Sequence, residues 1–419
     1  MWQPPTDLEQ QLHAAKSRGD LASYQRIVGL GEVYLKVPKS DGDALVDGTG
    51  EAYSLPLRKE LGRQFLDVCT IGELDELDDD WVMFCAQWEN LASNDSHRAR
   101  WFVVNRGTPI EAAFSHDMIQ DWLSEPGRPP GRFVHDKLIT TGRGPTRGPL
   151  AHGLACGAHL AVSNGVVWNS TINTYCGDYT ADMQRLRDDW GIESADAWSQ
   201  QLGYLFEADN SDPAIQVLLS MRRHLGGPAA ASLPVKVWRN EFLTWARGKE
   251  IPQDALEETI DLMGMILEYE AAFRDAEMMT GDEVVDTVAG YDYGRAVNVI
   301  RWGLAARYCD RAAAERLITQ AGELSQATYG SWHEYSLGYA LGRVLRFDEG
   351  AFGSCYRDTL NTHDILATES ASPWKTTKWQ SHADVRRAPV ASQPAGRVAM
   401  TDEQAEGFFA RRAAGLPGQ

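Results

Sequence analysis

The chain has 419 residues, 43% of them hydrophobic and 24% charged, which is ordinary globular composition and enough for a sizeable core in one large or two to three smaller domains. Lys and Arg total 40 against 59 Asp and Glu, a formal net charge of −19. That balance opposes long-range attraction to DNA, RNA or an anionic membrane, and suits a partner protein with a basic surface.

The opening stretch MWQPPTDLEQQLHAAKSRGD carries prolines and acids where a secretory signal needs a basic patch and an apolar run, so no export signal is expected. From Asp7 to about Gly29, Leu8, Leu12 and Ala15, then Leu21, Tyr24 and Val28, fall at helical spacing. Two short helices are expected, parted at Arg18-Gly19-Asp20. Val33, Leu35 and Val37 then alternate with Tyr34 and Lys36 in a half-buried strand ended by Pro38. SDGDALVDGTGEAY reads as a Gly/Asp turn region, Gln64 to Cys69 as a strand, and TIGELDELDDD as an acidic helix or loop. WVMFCAQW and WFVVNRG supply further strands. Alternating helices and strands predict an α/β domain of sandwich type over residues 1–125.

This order of elements, with QFLDVCTIGEL and WFVVNRGTPIEAAFSHDMI, resembles the SseB N-terminal family, named from enhanced serine sensitivity. The segment Val104-Asn105-Arg106-Gly107-Thr108-Pro109-Ile110-Glu111 is similar to that family's Asn-Pro-Gly turn before a terminal helix. Arg106 stands where the family has proline, and Cys69-Thr70-Ile71 where it has Phe-Thr-Ser.

Residues 126–149 are dense in Pro, Gly and Arg without sustained periodicity, the composition of a linker. Apolar repeats of helical spacing dominate from about Leu150 to Phe347. The glycine at Trp190-Gly191-Ile192 stops one helix, and Ser194 caps the next, which carries Trp198, Leu202 and Leu205 on one face. A long helix follows with Leu256, Ile260, Met263, Ile266 and Leu267 inward. The expected fold class is therefore α+β multidomain, an N-terminal α/β domain followed by a mainly α-helical one over residues 150–380.

Tyr291-Asp292-Tyr293-Gly294-Arg295-Ala296-Val297-Asn298, Arg301-Trp302-Gly303, Ser331-Trp332-His333-Glu334-Tyr335 and Leu341-Gly342-Arg343 closely resemble the bacterial domain-of-unknown-function family numbered 1266. Trp190-Gly191-Ile192, Ser372-Pro373-Trp374 and Trp379 fit the same family's outer segments. The resemblance implies no reaction, and only an association of some members with toxin and immunity loci. Residues 381–419 read as a flexible tail with a short amphipathic helix. There Thr401 and Gln404 form a capping-box pattern, and Phe408-Phe409 would dock on the body or on a partner.

The strongest polar constellation is Asp292, Arg295, Asn298, Arg301, Trp302, Trp332, Glu334, Tyr335 and Arg343. Arg295, Asn298 and Arg301 share one stripe of a helix, while Val297, Ile300 and Leu304 share another. Gly338 and Gly342 permit close helix packing beside Arg343, which could reach Asp292 or Glu334 as a bidentate ion pair. Such a set is either a structural network or a polar pocket for a carboxylate or an acidic loop, and spacing alone does not choose. His152, Cys156 and His159 lie at i, i+4 and i+7, the convergence a metal needs, but their apolar surroundings favour core packing and no fourth ligand is evident. No metal or other cofactor is expected. GxSxG, HExxH, GxxxxGK[ST] and strand–GxGxxG–helix patterns are absent. Glu257, Glu258 and Asp261, and the run from Glu73 to Asp80, read as solvated faces.

Six scattered cysteines without a CxxC pair read as reduced core thiols. No apolar run approaches the roughly 20 residues that span a bilayer, since the longest is broken by Gly157, His159, Ser163, Asn164 and Gly165. Together these features lead us to expect a cytoplasmic, non-catalytic protein-binding accessory, adaptor or immunity-type protein of a bacterial conflict or secretion-associated system. It would bind another protein rather than nucleic acid or membrane, with homo-oligomerisation open. The alternatives are an enzyme of unrecognised type with a polar site in the helical domain, and a toxic effector.

Overall fold

In a computed structural model of the chain, helix α1 (Asp7–Ser17) stops where Gly19 takes a φ of 70°, and Asp20 caps helix α2 (Leu21–Gly29) by accepting from the Ser23 amide at 3.0 Å. The structure describes residues 2–46, 49–50, 54–74, 80–93, 99–125, 137–142, 144–171, 179–249 and 251–379. Cys176, most of the acidic run after Glu73, the proline-rich segment 126–136 and the tail after Trp379 lie outside the described residues.

Strand β1 (Val33–Pro38) is followed by helix α3 (Lys39–Val46), strands β2 (Leu57–Glu60), β3 (Arg63–Val68) and β4 (Trp81–Ala86), helix α4 (Trp88–Ser93), strands β5 (Trp101–Val104) and β6 (Ala112–Ser115), and helix α5 (His116–Leu123). The stretch from Lys39 to Val46 is thus helical where a turn was expected. β1 pairs antiparallel with β4. The other strands form a sheet in the order β2-β3-β5-β6, with β3 and β5 parallel and the outer pairs antiparallel. Leu66, Phe102 and Phe114, aligned across this sheet, are buried with Leu12, Tyr24, Val28, Trp88 and Trp122 from the helices.

A buried carboxylate ties α1 to the end of β3. Glu9 accepts from the hydroxyls of Thr6 and Thr70 and, at 3.1 Å, from the Gly72 amide. Asn105, at a φ of 52°, completes the cluster by accepting from the Thr70 amide at 2.8 Å. Leu138 and Ile139, in the region of linker composition, are buried, and Ile139 bridges to Val167. Thr141 and Asn169 exchange two hydrogen bonds beside them.

The rest is helical: α6 (Gly148–Cys156), α7 (Ala158–Ser163), α8 (Tyr179–Trp190), α9 (Ala195–Phe206), α10 (Pro213–Gly226), α11 (Val235–Gly248), α12 (Gln253–Asp275), α13 (Ala289–Ala305), α14 (Arg311–Thr328), α15 (Trp332–Phe347), α16 (Ser354–Thr368) and α17 (Pro373–Thr376). An N-terminal α/β region and a mainly helical C-terminal region are therefore present, as expected. α8 stops at Trp190 with Gly191 at a φ of 63°, and Ser194 caps α9 through the Ala197 amide. Among the described residues no helix is long and apolar enough to cross a membrane.

The chain divides into two compact units, each discontinuous in sequence. Unit 1 draws on residues 1–154, 161–198 and 299–316, and unit 2 on 155–160, 199–298 and the chain from 317 on. In unit 2 the core of α12 is Ala255, Leu262, Met263, Ile266, Tyr269 and Phe273, with Leu256, Ile260 and Leu267 on its flanks. Glu257, Glu258 and Asp261 are exposed. A buried ion pair crosses this core. Arg222 of α10 donates to both oxygens of Glu270 of α12, at 2.8 and 2.6 Å, and to the Val285 carbonyl, while the Val285 amide donates back to Glu270. The guanidinium lies 4.9 Å over the Trp238 ring.

Candidate functional site

Helix α13 is buried at every position from Ala289 to Leu304, so its polar side chains cannot face water. A buried polar group that finds no partner costs about 1–3 kcal/mol, and the residues singled out in the sequence are accordingly bonded inside the protein. In unit 2, Asp292 pairs with Arg295 one turn on and accepts from the Ser211 amide at 3.1 Å. Burial pushes the Asp292 carboxyl above the usual range, and Arg295 and the Ser211 amide oppose that rise. The Arg295 guanidinium lies 3.9 Å over the ring of Tyr291. With its amide turned to suit its neighbours, Asn210 accepts from the same guanidinium at 3.0 and 3.2 Å. Asn298 donates to the carbonyls of Gly294 at 3.0 Å and Gly157 at 3.3 Å. In unit 1, Arg301 donates to the Val167 carbonyl at 2.7 Å, and Trp302 lies between Trp190 and the guanidinium of Arg185.

On α15, the Tyr335 hydroxyl sits 2.7 Å from the Cys156 carbonyl and 3.0 Å from that of Gly290. Trp332 donates to the Thr377 carbonyl and stacks on Trp374, with Trp379 edge-on. Glu334 is exposed and belongs to the helix start: its amide donates to Ser331, and its carboxylate accepts from Gly330. Arg343 lies beside Tyr339, Tyr291 and Cys355. The guanidinium that reaches Asp292 is thus that of Arg295, its neighbour on the same helix.

Gly338 and Gly342 do permit close packing. A Cβ at Gly342 would stand 2.7 Å from Tyr291, and one at Gly338 2.5 Å from the Thr287 carbonyl. Gly294 is as tight, since a Cβ there would meet Tyr339 at 2.7 Å and the Cys156 carbonyl at 2.9 Å. Gly264 on α12 has nothing within 4 Å. Gly294→Ala should therefore destabilise by about 1–3 kcal/mol through overpacking, while Gly264→Ala stabilises by about 0.5–1 kcal/mol, the ordinary helical gain. Urea denaturation of the two variants checks the contrast in sign.

Of the three residues weighed as metal ligands, His152 is buried in unit 1, where desolvation holds its pKa down to about 4. Cys156 and His159 are buried in unit 2, the thiol pushed up to about 12 and the imidazole well below its usual value. Among the described residues no three His, Cys, Asp or Glu side chains are grouped to hold a metal. His159 stacks on Tyr339 at 4.2 Å and places Nε2 2.9 Å from the Ser336 hydroxyl. That hydroxyl lies 2.7 Å from Nδ1 of His363 on α16. Burial lowers the pKa of His363 to about 4. A serine hydroxyl has one proton, so it donates to one imidazole and accepts from the other. Sequence reasoning missed Ser336 and His363, which are distant along the chain and fall in no spaced motif.

The fold and this site define a two-unit α+β protein whose helical unit contains a buried polar network around Asp292, Arg295 and Asn298. Residues 185–379, just under half the chain, are similar to a family described as protein of unknown function (DUF1266). The matched segment takes in Trp190-Gly191-Ile192, the α13 and α15 motifs, and Trp374 to Trp379. No curated protein and no solved structure matches the chain.

Proposed function

We propose that this chain is a non-catalytic protein-binding protein, acting in the cytoplasm as an accessory, adaptor or immunity-type component of a bacterial conflict or secretion-associated system. One observation carries the reading. The side chains that would line an enzyme's polar pocket, Asp292, Arg295, Asn298 and Arg301, are each at most 5% exposed and bond to one another or to nearby backbone and amide groups. Side chains so enclosed within their units serve packing rather than turnover. The net charge of −19 adds support, because a highly charged protein steers and selects oppositely charged partners. The likeness of residues 5–125 to the SseB family, through the order of elements and the turn at Asn105-Arg106-Gly107, is part of the same reading.

A second reading, an enzyme of unrecognised type, draws on the Ser336 hydroxyl held between two neutral imidazoles. Ser336 is fully buried, so a substrate would have to open the unit to reach it. Affinity capture of the tagged full chain from its native host at moderate salt, with mass spectrometry of the eluate, separates the two. A stoichiometric protein partner is the expected result. A chain that elutes alone would sink the binding reading and move attention to Ser336.

A further inference from the structure

Two polar stripes meet across the close contact of α13 and α15. On α15, Tyr339, Arg343 and Arg346 recur at i, i+4 and i+7, and on α13 Tyr291 and Arg295 stand four apart. Gly342 lets the helices approach there. Tyr291 lies edge-on to Tyr339, with ring centroids 5.3 Å apart, and beneath the guanidinium that Asp292 holds. Arg343 stands beside both rings and Cys355. Exposure rises along α15 from Tyr339, at 1%, through half-buried Arg343 to exposed Arg346, so the stripe runs from the core to water.

Two features mark this group of side chains as incomplete. The Tyr339 hydroxyl makes no hydrogen bond among the described residues, although Arg343 is beside it and its ring is stacked on His159. A buried polar group is seldom left so, and an orphan commonly marks the place of a water or an ion. The second feature is an excess of positive charge around the rings. Burial pushes the Tyr291 hydroxyl above its usual pKa, while Arg295, Arg343 and Arg346 oppose the rise, each more strongly than the carboxylate of Asp292 adds to it. At Tyr339 the leading charges are those of Arg343 and Arg295. Arg346 forms no ion pair among the described residues, its guanidinium lying 5.7 Å from the ring of Phe347.

We propose that a phosphate group binds at this end of the α13–α15 contact, its oxygens taken by the guanidiniums of Arg343 and Arg346 and, on the inner side, by the Tyr339 hydroxyl. The site goes beyond the protein-binding reading and needs no partner protein. Arginine presents a planar fork of donors that suits phosphate oxygens. A phosphate monoester carries about −1.5 to −2 charge at neutral pH, which answers two guanidiniums better than the single charge of a carboxylate does. Arg295 stays with Asp292. The net charge of −19 is spread over the whole chain, and salt screens all but the charges within about 10 Å of a bound ion. Free phosphate and a phosphomonoester share this chemistry, and the rest of an ester would extend toward the exposed Arg346 end.

The test is calorimetric titration of the full chain with inorganic phosphate at about pH 7.5 and low ionic strength, with O-phosphoserine, acetate and chloride compared at matched ionic strength. Phosphate should bind one to one and raise the melting midpoint, and acetate should bind about tenfold or more weakly. Phosphoserine binding alongside phosphate supports the site as one for a carried phosphoryl group, and phosphate binding alone supports it as one for the free anion. Arg346→Gln should weaken phosphate binding about tenfold with the phosphate-free midpoint unchanged. Tyr339→Phe should weaken it several-fold while leaving that midpoint unchanged or higher, because it removes a hydroxyl that the folded chain leaves unbonded. A hydroxyl serving packing alone would move the midpoint and not the affinity. No saturable binding beyond that of chloride, equal binding of acetate, or full affinity in both variants would overturn the proposal. A chain that binds no phosphate yet captures a protein partner loses this site and keeps the protein-binding reading, and the reverse result keeps the site while that reading falls.

Discussion

Glu270→Ala is expected to lower the stability of the helical unit by about 3–5 kcal/mol, because it strands the Arg222 guanidinium, which pairs with no other carboxylate among the described residues. Both side chains are at least 97% buried, and Glu270 also accepts from the Val285 amide, so one substitution removes three hydrogen bonds at once. Glu270→Gln should cost less, since it keeps the shape and some of the hydrogen bonds. The informative variant is the double replacement Arg222→Met with Glu270→Leu. Removing both charges ends the desolvation cost instead of exposing it, so the double variant should be more stable than Glu270→Ala. Urea midpoints of the three variants check this, and a double variant no more stable than Glu270→Ala would contradict it.

Acid should unfold this protein earlier than its carboxylates alone would dictate. His152 and His363 are held to pKa values of about 4, and His159 well below its usual value, all through burial of a neutral ring. An unfolded histidine titrates near 6.5. As pH falls below that point the unfolded chain takes up protons that the folded chain refuses until about 4, so stability is lost across this window. At ~1.4 kcal/mol per unit the loss is on the order of 3 kcal/mol each for His152 and His363. Asp292 works in the opposite sense, because its raised pKa lets the folded state take a proton first, and it offsets part of the loss. Denaturant midpoints measured from pH 7 to 4.5 should fall steeply, and His363→Asn, which retains a partner for Ser336, should flatten the slope. A stability unchanged between pH 7 and 5 would contradict the assignment of neutral buried rings.

Much of this architecture was legible along the chain. β1, β3, β4 and β5 contain alternating or β-branched apolar residues, and the Gly19-Asp20 break carries both a permissive glycine and a capping carboxylate. β2, with the sequence LRKE, and β6, with AAFS, have no such signal, because short strands of this kind exist only through the partners they pair with. α3 was hidden by two aspartates and a glycine, residues that favour turns when neighbours do not decide otherwise. The polar stripe of Arg295, Asn298 and Arg301 was visible, but its burial was not. A helix buried on every side shows the same periodicity as one with a wet face, and only the positions of other segments tell them apart. Ser336 and His363 needed the fold itself to bring them together.

The buried hydroxyl of Tyr335 has a consequence for how the chain is made. Its carbonyl partner, Cys156, precedes it by 179 residues, and Gly157 waits 141 residues for Asn298. At ~5–20 residues per second, a ribosome leaves the segment around Cys156 without these partners for roughly 10–35 seconds. During that interval a hydrophobic stretch that the finished protein buries completely is open to chaperones and to neighbouring nascent chains. The helical unit can therefore close only late in synthesis, after Tyr335 has been made.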